Sequence, residues 1–140
     1  MIRASAAALC VLFAAVAEAQ RFQPELRFET IGSAYQGVAG VALHVPMGRY
    51  VRLGIGGTGA AIRRADLVAR FTFDPYRQMR WGLSAGSGLS YDMETGQLYL
   101  AVHGDLEGPR LLDVTPFVSA GLAGGARFAL GMRRGFQSRR

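Results

Sequence analysis

One pattern limits this chain more than any other: apolar residues alternate one for one with small or polar residues, in segment after segment. The clearest instance is RWGLSAGSGLSY. There Trp81, Leu83, Ala85, Ser87, Leu89 and Tyr91 fall on one side, and Arg80, Gly82, Ser84, Gly86, Gly88 and Ser90 on the other. A period of two marks an extended strand with unlike faces. ADLVARFTF, Ala65 to Phe73, sets Leu67, Ala69, Phe71 and Phe73 against Asp66, Val68, Arg70 and Thr72, and QLYLAVHGDL, Gln97 to Leu106, repeats the pattern. Turn-rich DPYRQM and DMETGQ join these three segments into an antiparallel run. Similar readings place strands over Glu25 to Tyr35, Gly40 to Val45, Tyr50 to Gly57, Val114 to Leu122 and Ala126 to Met132, the last two closing around Gly124 and Gly125. No stretch after residue 20 has a 3.6-residue apolar period. The expected fold class is all-β, with eight antiparallel strands.

The first 19 residues stand apart from this pattern. MIRASAAALCVLFAAVAEA has a basic start at Arg3, an apolar run from Ala6 to Val16, and Ala17-Glu18-Ala19 as a small-residue cleavage pattern. These three parts in this order predict an export signal cleaved before Gln20, and the apolar run is shorter than the roughly 20 residues a spanning helix needs. Three segments are expected: a signal peptide over 1–19, one β domain over 20–136, and a basic tail over 137–140. The single cysteine, Cys10, lies in the first of these. The exported chain is therefore expected to have no disulfide and no thiolate chemistry.

Removing Arg3 and Glu18 from 16 basic and 10 acidic residues leaves 15 and 9, a net charge of +6, and every basic residue is arginine. A nucleic-acid surface would gather those arginines on one face with aromatics between them. Here they are scattered singly through strands and turns, apart from Arg63-Arg64, Arg133-Arg134 and Arg139-Arg140.

Alternation cannot say which face is inside, because an ordinary barrel and an inverted one share the same period. Residue type can. The polar faces hold mostly Gly, Ser and Ala with isolated charges of both signs, which suits a narrow lumen whose charges must pair to offset desolvation. Arg27, Glu29, Arg52, Asp66, Arg70, Arg80, His103, Asp105 and Arg127 are the expected interior polar residues. On the opposite faces, Trp81 and Tyr91 bracket about ten residues, the length a tilted strand needs to cross a bilayer, and would sit as interfacial aromatics. The 19 glycines also exceed the usual share of about 7%. The faces therefore point to a closed, up-and-down β-barrel of transmembrane type.

With its alternating strands, its export signal and the segment TPFVSAGLAGG, Thr115 to Gly125, the chain resembles the small eight-stranded outer-membrane β-barrel proteins of Gram-negative bacteria, the class that includes outer membrane protein A and outer membrane protein X. The resemblance covers the whole exported chain. It implies an outer-membrane location, contact with outer-membrane lipid, and insertion by the barrel-assembly machinery. Two departures stand out: Arg134 occupies a place that is apolar in the class and QSRR follows Phe136 where members end on an aromatic residue, and the loops are short in an exported chain of 121 residues, small for the class.

The two histidines, His44 and His103, fall on inner faces, and Ser84, Ser87 and Ser90 with His103 and Asp105 are the candidates for chemistry, since some small membrane barrels are lipid-modifying enzymes that need a serine held by a histidine. His103 and Asp105 are two residues apart on one strand face, about 7 Å by strand rise, too far for a direct orienting bond, and Ser87 falls on the lipid side. No catalytic, cofactor or metal residue is therefore assigned. Gly57 to Asp66, with Arg63 and Arg64, lacks the order of a phosphate-binding loop and reads as a solvated loop, with lipopolysaccharide phosphates as the alternative contact. Arg133 to Arg140 read as a flexible tail.

Eight strands leave no aqueous pore. The expected function is that of a non-enzymatic outer-membrane barrel with a plugged polar interior and a structural or interaction role. Two alternatives stay open: a soluble exported barrel with Trp81, Leu83, Leu89, Phe71 and Phe73 lining an apolar ligand pocket, and a lipid-modifying enzyme.

Overall fold

The computed structural model describes residues 22–31, 37–59, 62–76 and 80–134. The expected signal peptide over 1–19, the end of the first strand near Tyr35 and the tail over 137–140 lie outside them.

Eight strands follow one another in chain order: β1 (Gln23–Ile31), β2 (Gly37–Pro46), β3 (Val51–Gly59), β4 (Arg64–Thr72), β5 (Gly82–Asp92), β6 (Leu98–Glu107), β7 (Val114–Leu122) and β8 (Ala126–Arg134). Each pairs antiparallel with the next, and β8 pairs back onto β1, closing the barrel. No sheet edge remains unpaired, so closure removes the usual template for strand addition.

Register fixes how steeply the strands run. From Gly82 the cross-strand partners lead through Glu107, Phe117, Gly131, Arg27, Gly40, Thr58 and Arg64, and return to β5 at Asp92, ten residues up the strand where the path began. A stagger of that size in eight strands goes with a tilt of about 35–45°. Every residue on the circuit points inward.

Two turns at the end away from the chain's entry are tight. In the β5–β6 turn the Asp92 carboxylate accepts the backbone N–H groups of Glu94 at 2.9 Å and Thr95 at 3.2 Å, and Gly96 takes a positive φ of 68°. The β7–β8 turn uses Gly124 at φ 66°, where a side chain would also meet the Tyr99 ring at 2.7 Å. The chain enters and leaves the barrel at one end, where Gln23 Nε2 donates to the Arg134 carbonyl at 2.7 Å.

The faces are inverted relative to a water-soluble barrel. Among the described residues, the exposed large apolar side chains include Leu26, Phe28, Leu53, Ile55, Leu67, Leu83, Leu89, Leu100, Leu106, Val118, Leu130 and Met132, all pointing outward. The buried set includes Glu25, Glu29, Asp66, Arg70, Asp105, Glu107 and Arg133. Soluble monomers rarely expose apolar patches beyond a few hundred square ångströms; here the apolar surface encircles the molecule. Trp81, Leu83, Leu89, Phe71 and Phe73 are all exposed on the outside. The arrangement in which they line an apolar pocket is therefore overturned.

Candidate functional site: the charged lumen

The lumen is built from alternate residues of all eight strands, and its charges fall into three tiers. At the end away from the termini, Arg64 bridges Asp92 at 3.6 Å, donates to the Ala123 carbonyl at 2.5 Å, and lies over the Tyr99 ring at 5.3 Å. Below it, Arg27 reaches Asp66 at 2.5 Å and Glu29 at 3.3 Å, while Arg127 contacts the same two carboxylates at 2.9 Å each. The third tier centres on Arg133, which meets Glu25 at 3.2 Å, Asp105 at 2.9 Å and Glu107 at 2.6 Å, with Arg70 joining Glu25 at 3.2 Å and Asp105 at 2.9 Å. Arg27 ties the second and third tiers together through Glu25 at 3.8 Å.

With Arg52 half-buried on the inner face of β3, the arginines turned inward are Arg27, Arg52, Arg64, Arg70, Arg127 and Arg133, and the carboxylates are Glu25, Glu29, Asp66, Asp92, Asp105 and Glu107. Among the described residues, six of each sign balance in the lumen. Buried ions are tolerated on this condition, since desolvation is offset only when each charge finds partners of the other sign. A cavity of about 40 Å³ remains among Glu25, Arg27, Glu29, Asp66, Arg70, His103 and Arg127. That is room for a water or two.

Glycine makes space for the largest inward side chains. His44 lies directly across from Gly54 and His103 directly across from Gly86, and a Cβ on either glycine would run into the facing imidazole. Phe117 lies across from Gly131 in the same way, at 2.8 Å from a Cβ placed there, and carries the Arg133 guanidinium over its ring at 3.9 Å. The small inner faces of β3, β5 and β8 are thus shaped by the bulky residues of the strands beside them.

Of the expected interior residues, Glu29, Asp66, Arg70 and Asp105 are buried, Arg27, Arg52, His103 and Arg127 are half-buried on the inner face, and Arg80 is not in the lumen. Arg80 is exposed because β5 begins at Gly82 and the backbone bends ahead of it. Two further expectations are corrected. Arg64 does not lie in a solvated loop: it opens β4 and points inward, leaving Arg63 exposed. Arg133 does not belong to a flexible tail, for β8 runs to Arg134 and Arg133 is 1% exposed. Glu25, Arg64, Asp92, Glu107 and Arg133 were missed as interior charges. The signal for them was parity with Arg27 and Glu29, Asp66, Ser90, Asp105 and Arg127 respectively.

Ser84 and Ser87 lie on opposite faces of β5. Ser87 points outward, and Ser84 turns its hydroxyl toward Asp105 at 3.4 Å and Glu107 at 3.5 Å. His103 Nε2 comes to 3.9 Å from Asp105 Oδ1, nearer than the rise along the strand suggests but beyond hydrogen-bond length. Trp81, just ahead of β5, and Tyr91, near its far end, are 58% and 43% exposed on the outer surface.

No protein-family model matches this sequence, and no curated protein sequence matches it. Similarity is found among solved structures. A de novo designed transmembrane β-barrel superposes with a TM-score of 0.67 at 8% identity, over 82% of this chain and 94% of its own. A second, TMB2.3, solved by NMR in solution, gives 0.65 at 12% identity over 84% and 94%. The N-terminal β-barrel domain of Pseudomonas aeruginosa OprF gives 0.57 at 9% identity over 81% and 94%. At these identities the likeness is one of fold, and the fold is the closed, eight-stranded antiparallel barrel of transmembrane type.

Proposed function

We propose that this chain is a small outer-membrane barrel of a Gram-negative envelope, non-enzymatic, with a plugged polar interior and a structural or interaction role. The observation that carries this reading is the pairing of an apolar outer wall with a neutral, ion-paired lumen, an arrangement that water would unmake and a bilayer rewards. The lumen is crossed by bridges in three successive tiers, which supports a plugged interior. A purely structural role for the interior is supported by Ser84, whose hydroxyl faces carboxylates. Lipid is the main partner. The barrel-assembly machinery acts during insertion, and lipopolysaccharide phosphates are the candidate contact of Arg63 at the end away from the termini.

The discriminating substitution is Val102→Arg, in the middle of β6, where the side chain is 49% exposed on the outer wall. In a bilayer an arginine at mid-depth costs about 2–4 kcal/mol, so the variant should fold into vesicles with a lower denaturant midpoint and lower yield. On a water-facing surface the same change falls within about 0.5 kcal/mol. An unaltered midpoint would therefore contradict the membrane reading.

A further inference from the structure

The two ends of the barrel are dressed differently. At the end away from the termini the exposed turns carry Arg63 and Glu94, which offset each other, and Tyr91 is the aromatic of β5. At the opposite end Tyr50 stacks on Phe71 with centroids 5.7 Å apart, Phe71 meets Phe73 edge-on at 5.3 Å, and Tyr76 and Trp81 are exposed at the same end. Two arginines are set into this belt. Arg80 precedes Trp81 and is exposed; Arg49 donates Nη1 to the Tyr76 hydroxyl at 2.6 Å and lies 5.9 Å from that ring's centroid.

We propose that this belt holds the phosphate groups of anionic phospholipids in the leaflet at the end where the termini lie. The proposal rests on the membrane reading above and adds to it a headgroup preference and a side. Aromatic rings at a barrel's rim settle at the boundary between acyl chains and headgroups. A cation in the same belt is thereby placed at the level of the phosphates. A guanidinium has five N–H donors in a planar fork that matches phosphate oxygens. Arg49 spends one of these on Tyr76, and that bond fixes the group in place. Holding it beforehand lowers the ordering cost of binding. A basic side chain near a charged bilayer surface enriches anionic lipid about fivefold at most, and salt weakens the effect within a Debye length.

Trp81 is the only tryptophan of the chain and stands within the belt, so its fluorescence reports the lipids it touches. The purified protein is placed in phosphatidylcholine vesicles that contain, at equal mole fraction, either phosphatidylglycerol or phosphatidylcholine with brominated chains. The expected result is that brominated phosphatidylglycerol quenches Trp81 as though enriched about threefold at low salt, and that the R49Q/R80Q variant, with its folded gel mobility retained, loses the difference. Equal quenching by the two lipids, or a preference that survives in R49Q/R80Q, would overturn the proposal while leaving the membrane reading intact. Quenching by neither lipid would overturn both.

Discussion

Arg133 reaches three carboxylates, Glu25, Asp105 and Glu107, from a site that is 1% exposed, with one face against Phe117. Removing it strands a cluster of like charges in the lumen, and breaking a buried pair costs about 3–5 kcal/mol. Arg133→Met is therefore predicted to lower the urea midpoint of the detergent-folded barrel by several kcal/mol in free energy, while the exposed Arg63→Met on the rim changes it by less than about 0.5 kcal/mol. Equal effects would mean that the lumen does not depend on this residue. Arg133 also marks how far single residues can be read from the chain. Its parity with Arg127 was legible, but it stands among the closely spaced arginines near the end of the sequence, where composition suggested a tail. Arg80 fails in the opposite sense. Its parity with Gly82 is right, yet the strand has not begun, and only the backbone bend at residues 80 and 81 decides that it is exposed.

At the scale of strands, alternation placed the strand bounds that fall on described residues to within a few residues, and Val114–Leu122 with no shift at all. Alternation survives because each strand has one face against lipid-like apolar surroundings and one against the lumen. Register across strands was not legible, since it depends on which side chains meet. The histidine–glycine pairs are the device that sets it: His44 requires Gly54, and His103 requires Gly86. Slipping β2 against β3 by one residue would put the His44 ring toward lipid. Gly54→Ala should cost about 1–3 kcal/mol through overpacking, and His44→Ala should relieve part of that cost. A double-mutant cycle in urea titrations is predicted to show a coupling of at least about 0.5 kcal/mol between the two positions. Simple additivity would remove the pairing from the account. The same logic explains the glycine-rich face of β5, which composition alone assigned only to a cramped interior.

At the scale of the whole molecule, tilt, band height and charge agree with one another. Ten residues separate Trp81 from Tyr91. At about 3.3 Å per residue and a tilt near 40°, they span about 25 Å, the height of the apolar band of a membrane barrel. The lumen charges of the described residues balance, so the chain's net charge of +6 comes from residues other than those twelve. The barrel class was legible from the sequence because the inversion of faces is written into residue types. The ion-pair tiers were not, because they join residues far apart in the chain, such as Glu29 and Arg127. The central claim, a closed inverted barrel in the outer membrane, is tested most directly by fractionating cells that express the full chain and running the membrane samples boiled and unboiled on one gel. The account predicts recovery in the outer-membrane fraction with a shift in mobility on boiling. Recovery in the soluble periplasmic fraction, with no such shift, would contradict it.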